Sequence, residues 1–221
     1  MGAVDLGDLR RLTPLSRQFG FDRGTPVDRY YVERFLEDNC LDIQGRVLEI
    51  GEDLYATRYG GDRIAALDIL NVTSGCPAAT IIADLSNAPE LANAQFDAII
   101  LTQTLQYIFD APAAIRTLHR ILTPGGVLLM TAPGTTQASL SATKYWAFTE
   151  LCVRTLLEGS FRSGDITTAV GGNVLSAVTF LEGLSVEEVG RDNLEFLDPD
   201  YPVIIGARAV KENNLRSSRP R

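Results

Sequence analysis

Short apolar runs alternate along the chain with helix-length amphipathic segments. After an irregular lead-in over 1–24, Thr25-Pro26-Val27-Asp28 supplies an N-cap, a proline for the first helical position and an acid in the first turn. The helix it opens should reach about Asn39, with Val27, Tyr31, Phe35 and Leu36 on one face. Gly45 leads into a first strand over 46–50, and a short helix over 52–59 stops at Gly60-Gly61. A second strand over 64–67 ends in Asp68, and a turn-rich stretch with Gly75 and Pro77 precedes a third over 79–83, ended by Asp84. Residues 85–94 read as a loop, and the fourth strand, 96–101, is apolar enough to be buried on both faces.

A loop over 102–109 follows, then an amphipathic helix over 111–122 with Ile115, Leu118, Ile121 and Leu122 inward, terminated by Pro124-Gly125-Gly126. The fifth strand is 127–131. Beyond Pro133 the pattern loosens into a helix over 143–158 rich in aromatics (Tyr145, Trp146, Phe148), a sixth strand over 165–170 and a helix from Gly172-Asn173 to 181. A strong strand over 201–210 comes last, before a polar, frayed end at 213–221. Strands and helices alternating at these lengths imply right-handed crossovers and a mostly parallel sheet with helices on both faces, a doubly wound α/β fold.

Composition narrows the function classes. A chain of 221 residues with 45% hydrophobic and 22% charged content is an ordinary globular domain, with no internal repeat or linker. A net charge of −8 argues against a partner with a phosphate backbone, so no nucleic acid is expected. Cys40, Cys76 and Cys152 form no CxxC pair and suit buried thiols in a reducing cytoplasm. No apolar run reaches the roughly 18 residues of a membrane span, and the charged N-terminus is not a signal peptide. No metal-ligand cluster is visible, and oligomeric state is left open.

The chemistry centres on 46–68, a strand, turn, helix, strand and acid in order, which is how an open parallel sheet holds a nucleoside at its carboxyl edge. Such loops carry two or three glycines; here Glu52 and Asp53 follow the single Gly51. Three further segments follow in order, Ala-Asp-Leu (83–85), Phe-Asp-Ala-Ile-Ile-Leu-Thr (96–102) and Leu-His-Arg-Ile-Leu-Thr-Pro-Gly-Gly-Val-Leu-Leu (118–129), after Val-Leu-Glu-Ile-Gly (47–51) and Asp68. Together they resemble the class I S-adenosylmethionine-dependent methyltransferases over residues 40–133. The run Phe-Gly-Phe-Asp-Arg-Gly-Thr-Pro-Val-Asp-Arg-Tyr-Tyr (19–31) also resembles bacterial members that modify small molecules or accompany glycosyltransferases.

The resemblance implies a Rossmann-like, seven-stranded sheet whose last strand is antiparallel. It implies a single domain over 1–221: a lead-in and cap helix (1–40), a cofactor-binding core (41–133) and substrate-side elements (134–221). S-adenosyl-L-methionine is the implied cofactor, with Glu49, Gly51 and Glu52 under its methionine end, Asp68 on the ribose hydroxyls, and Asp84 with the Leu85 backbone on the adenine. Thr102 would lie near the sulfonium, and Tyr30 in the cap helix joins the cofactor set. Each acid also has a plain structural reading: Asp68 as a turn acid, Asp84 as a strand-ending cap, Glu49 as part of its strand. Asp53 stands where the family has glycine, and either caps the following helix, pairs with the cofactor's amino group, or marks a lost site.

The implied activity is methyl transfer to a small-molecule acceptor at a hydroxyl of a sugar or secondary metabolite. Alternatives are a methyltransferase-like fold with a non-methylating catalytic or binding role, and a nucleotide-dependent oxidoreductase, which the poor glycine loop disfavours. The single histidine, His119, reads as structural in its helix. Gln106 could orient an acceptor hydroxyl, while Tyr107, Asp110 and Glu150 are candidate bases. The aromatics at 145–148 read equally as pocket wall or core.

Overall fold

The computed structural model describes residues 7–138 and 144–213. The start of the lead-in (1–6), the first residue expected of the aromatic helix (Thr143) and the tail 214–221 lie outside the described residues. In chain order the elements are α1 (Val27–Asp38), β1 (Gly45–Ile50), α2 (Leu54–Gly60), β2 (Ile64–Asn71), β3 (Ile81–Ile82), β4 (Phe96–Thr102), α3 (Ala111–Ile121) and β5 (Leu122–Pro133). Then follow α4 (Glu150–Glu158), β6 (Ile166–Gly171), α5 (Val174–Glu182), α6 (Val186–Val189), α7 (Arg191–Glu195) and β7 (Ile204–Val210).

The seven strands form one sheet in the order β3-β2-β1-β4-β5-β7-β6. β1 to β5 pair in parallel, and β7 runs antiparallel to both β5 and β6. Side chains alternate across a strand, so the sheet divides its apolar residues between two cores. Val47, Ala98, Ile100 and Leu129 pack with α1, α2 and α5, through Val27, Tyr31, Ala56 and Phe180. Leu48, Ile99, Leu101 and Leu128 pack with α3 and α4, through Ile115, Leu118, Val153 and Leu157. This is the expected doubly wound arrangement, a Rossmann-like sheet of seven strands covered on both faces.

Strands β3 and β7 are shorter than the sequence reading had them, α6 and α7 were not anticipated, and three further differences have a clear physical cause. β2 does not stop at Asp68: Leu48 pairs with Asp68, and the register continues through Ile50 with Leu70. Burial of Ile69 and Leu70 keeps that segment in the sheet as far as Asn71. Pro124-Gly125-Gly126 lies inside β5, where a register shift between Phe96 and Ala98 absorbs it. Gly125 takes φ +81°; its N–H donates to the Lys211 carbonyl at 2.8 Å and the Lys211 N–H donates to the Gly126 carbonyl at 2.9 Å, closing the bulge. The aromatic helix is short because residues 144–149 are not helical; the N–H groups of Tyr145 and Phe148 donate to the carbonyls of Gln106 and Pro133. Helix α4 begins only after Thr149, whose hydroxyl accepts the Cys152 N–H at 3.2 Å. The cysteines are free, and Cys152 is exposed rather than buried.

Candidate functional site

The carboxyl ends of β1, β2 and β4 open onto one cleft, where ligands of open α/β sheets bind. The cleft has two lobes. The first, about 370 Å³, is lined by β1, the loop after β4 and α1, including Asp28, Arg29, Glu49, Glu52, Thr102 and Gln106. The second, about 450 Å³, is lined by the ends of β2 and β3 and by the 104–110 loop, including Asn71, Asp84, Leu85 and Ser86. Ile50, Gly51, Thr104 and Tyr107 belong to both lobes, so the two join above the end of β1.

Gly51 sits at that junction with φ +103°, and a Cβ added there would meet nothing within 4 Å. Its N–H donates to the Leu70 carbonyl at 2.9 Å, and its own carbonyl accepts from the Asn71 amide at 3.2 Å. The backbone is thus fixed from the β2 side and open toward the cleft.

Glu49 is buried at the end of β1, and its two oxygens accept the backbone N–H groups of Tyr55 and Ala56 at 3.0 and 2.7 Å. These are first-turn donors of α2, so the strand residue caps the helix. Burial, reinforced by the nearby charges of Asp53 and Glu52, pushes the Glu49 carboxyl up to about 7 against the pull of those two bonds. Asp53 stands at the N-cap position of α2, yet its side chain makes no cap bond and does not line the cleft. Neither the capping nor the amino-contact reading of Asp53 has a side-chain contact behind it; the donors it would cap are taken by Glu49.

Asp68 lies three residues before the end of β2. Its carboxylate accepts from the Arg46 guanidinium at 2.8 Å and from the Thr80 hydroxyl at 3.1 Å, and it lines neither lobe. The residue at the strand end is Asn71. On this register Asn71, and not the Asp68 expected on the ribose, is the polar β2 residue that faces the second lobe, because the strand runs three residues further than the acid reading took it. Tyr30, also expected in the cofactor set, packs edge-on against Tyr31 and lines a separate groove with Arg34 and Arg191.

Asp84 and Leu85 do face the second lobe. One Asp84 oxygen accepts from the Ser86 N–H and hydroxyl at 2.9 and 2.7 Å, holding a tight turn. Thr102 reaches the first lobe at the end of β4. Gln103 follows with φ +46°, a strained conformation for a residue with a side chain. Beyond it Gln106 is buried, its amide donating to the Gln103 carbonyl at 2.8 Å, while its Oε1 has no partner. Tyr107 touches both lobes.

The other candidate bases do not stand free in the cleft. Glu150 bonds Thr168 and Arg154 at the start of α4, lines neither lobe, and its carboxyl is held below the usual range by the Thr168 hydroxyl. Asp110 lines the second lobe but is committed to the N-terminus of α3, accepting from the Ala113 N–H at 2.9 Å. His119 packs on Phe161 and lies 3.4 Å from Glu212, a structural position. Of the aromatics, Tyr145 lines the second lobe, Phe148 is core, and Trp146 anchors to the Ile108 carbonyl at 3.0 Å. Among the described residues no group of His, Cys, Asp and Glu is arranged to hold a metal.

Among the cleft residues not singled out from the sequence are Asn71, Asp28, Arg29 and Lys144. Strand alternation through Ile69 and Leu70 would have exposed Asn71. Asp28 and Arg29 read as ordinary first-turn residues of α1. Lys144 carries no local signal; its ammonium donates to Thr136 Oγ1 and the Gln137 carbonyl at 3.0 and 2.9 Å and lines the first lobe. The Arg29 guanidinium donates to the Tyr55 hydroxyl at 2.6 Å and lies over the Tyr55 and Phe21 rings.

Residues 45–130 match the family model described as a methyltransferase domain. No curated protein matches the chain significantly. Among solved structures, an S-adenosylmethionine-dependent methyltransferase from Thermotoga maritima, described as a possible histamine N-methyltransferase, superposes with a TM-score of 0.58 at 16% identity, covering 87% of this chain and 95% of that one. The 1,6-didemethyltoxoflavin-N1-methyltransferase of Burkholderia thailandensis, with its acceptor and S-adenosylhomocysteine bound, gives 0.55 at 14% identity over 85% and 79%. The (4+2)-cyclase SpnF gives 0.54 at 19% identity over 87% and 85%. These likenesses show the fold.

Proposed function

We propose that this chain, whose fold is that of the class I methyltransferases and whose residues 45–130 match a methyltransferase domain, binds S-adenosyl-L-methionine and passes its methyl group to a small-molecule acceptor. The observation that carries the reading is the junction of the two lobes at Gly51, Thr104 and Tyr107. A nucleoside in the second lobe and an acceptor in the first would meet there.

The residues present fit the cofactor. Gly51 leaves an open cradle at the end of β1. Asn71, whose amide bridges the Gly51 carbonyl and the Val72 N–H, lines the second lobe where ribose hydroxyls would lie, and Asp84 with Leu85 lines the part of it that would take the adenine. Arg29, already oriented by Tyr55, suits the carboxylate of the methionine end, and Glu52 suits its ammonium. When bound, the cofactor supplies an electrophilic methyl group on a cationic sulfur. The chain's own part is to align the acceptor atom, which accounts for much of the rate in such displacements.

The acceptor is read as a hydroxyl of a sugar or secondary metabolite, and the working unit as a single domain over 1–221 in the cytoplasm. The net charge of −8 speaks against nucleic acid, and no described helix is long and apolar enough to cross a membrane. A second reading keeps the fold without methyl transfer; the likeness to a (4+2)-cyclase favours it. Calorimetry with S-adenosylhomocysteine and NAD, followed by transfer of tritiated methyl groups, separates the readings. Absence of heat with S-adenosylhomocysteine would defeat the cofactor assignment, and tight NAD binding would favour an oxidoreductase.

A further inference from the structure

The first lobe holds more acceptor-side chemistry than cofactor binding requires. Gln106 Oε1 is buried, unpartnered and held in place because its own amide donates to the Gln103 carbonyl at 2.8 Å. A buried carbonyl oxygen without a partner is destabilising, a penalty removed by any ligand that donates a hydrogen bond to it. Asp28 faces the same lobe from the first turn of α1, with Oδ1 accepting the Arg29 N–H at 2.9 Å and the rest of the carboxylate available. Phe19 and Phe21 form an apolar wall beside them. Both polar groups accept hydrogen bonds, so their ligand must donate at two points.

Lys144 bears on which donors these are. It enters the lobe from the segment after β5 and spends two donated bonds on Thr136 and Gln137. Its charge and that of Arg29 offset those of Asp28 and Glu52, so below about pH 7, where Glu49 holds its proton, the lobe is close to neutral and matches a neutral hydroxyl better than a cationic amine.

Building on the methyltransferase reading above, we propose that the first lobe takes a polyhydroxylated acceptor, with Asp28 receiving the proton of the reacting hydroxyl and Gln106 Oε1 positioning a second hydroxyl. In the transfer, the acceptor oxygen forms the new O–C bond, the C–S bond breaks with its electrons left on sulfur, and the hydroxyl proton passes to the Asp28 carboxylate. Asp28 is the catalytic residue and Gln106 the positioning residue. The protonation range is suitable: burial pushes the Asp28 carboxyl up to about 6, against the pull of Arg29 and Lys144, while Glu49 and Glu52 line the lobe from β1 and the loop after it.

The test is calorimetric titration of the S-adenosylhomocysteine complex with the methyl glycosides of glucose, galactose, mannose and rhamnose, and with histamine and tyramine as amines. At least one glycoside should bind, more tightly as pH rises through about 6. Gln106→Leu should weaken it at least about tenfold with S-adenosylhomocysteine affinity within about twofold, which also shows that the variant folds. Asp28→Asn should abolish the pH dependence and lower the rate of tritiated methyl transfer to that glycoside at least about a hundredfold. Preference for an amine, no glycoside binding to the S-adenosylhomocysteine complex, an undiminished Gln106→Leu affinity, or an unchanged pH limb or transfer rate in Asp28→Asn overturns the proposal. Failure of S-adenosylhomocysteine itself to bind overturns the cofactor reading instead.

Discussion

The Glu49 carboxylate, at the end of β1, accepts the Ala56 backbone N–H at 2.7 Å, so the helix bordering the cleft is capped from the sheet beneath it. A second bond, from the Tyr55 N–H, completes the cap. The arrangement ties the position of α2 to that of Gly51, two residues beyond Glu49. It also buries a carboxylate next to two other acids, Glu52 and Asp53.

Glu49→Ala should destabilise the protein by about 2–4 kcal/mol, since it leaves two buried donors unpaired. The pH dependence follows from the direction of the shift. Glu49 is raised from 4.5 to about 7 in the folded chain, so between those values the folded state holds the proton longer than the unfolded one. Stability therefore falls as pH rises through that window, by a total on the order of 3 kcal/mol. Asp28, raised to about 6, acts in the same direction over a narrower range. Urea midpoints measured from pH 4.5 to 8 should decline in the wild type and decline less in Glu49→Gln.

Asn71 and Asp68 can be told apart by binding. Asn71→Ala should weaken S-adenosylhomocysteine at least about tenfold, or about 1.4 kcal/mol. Asp68→Asn should change that affinity less than about twofold, and cost at most about 1 kcal/mol of stability from its partly exposed pair with Arg46. The reverse pattern would restore the acid as the ribose ligand.

Because Asp53 bears on Glu49 through charge and not through a cap bond, Asp53→Asn should alter stability by less than about 0.5 kcal/mol. Its effect should appear at Glu49. The side-chain carboxyl resonance of Glu49 should titrate at lower pH in the variant, whereas an unmoved titration would contradict the coupling.

A sulfonium at the lobe junction should draw protons off the two raised carboxyls, Glu49 and Asp28. Calorimetry near pH 6.5 in buffers of different ionisation enthalpy should show more protons released on binding S-adenosylmethionine than S-adenosylhomocysteine, which lacks that charge. Equal release would place the sulfur away from both acids.

Local pattern was enough to read the strand and helix order, the doubly wound class and the loop around Gly51, because apolar periodicity and glycine or proline breaks are properties of neighbouring residues. Asp84 with Leu85, and Gln106, reached the cleft as expected for a related reason: each lies within four residues of a strand end. What failed was register and reach. The end of β2 depends on pairing with β1, which carries the strand past Asp68 to Asn71. The capping role, one of the three readings open for Asp53, falls to Glu49, four residues earlier, because a strand-end side chain can reach the helix turn that follows it only once both are packed. Asp28 and Lys144 come from segments more than 100 residues apart and share a lobe only when α1 and the chain after β5 close over the sheet edge. The sequence by itself determined the seven strands, the helices α1 to α5 and the loop at Gly51; the tertiary structure decided which side chains face the cleft, since that depends on strand register and on contacts between residues distant in the chain.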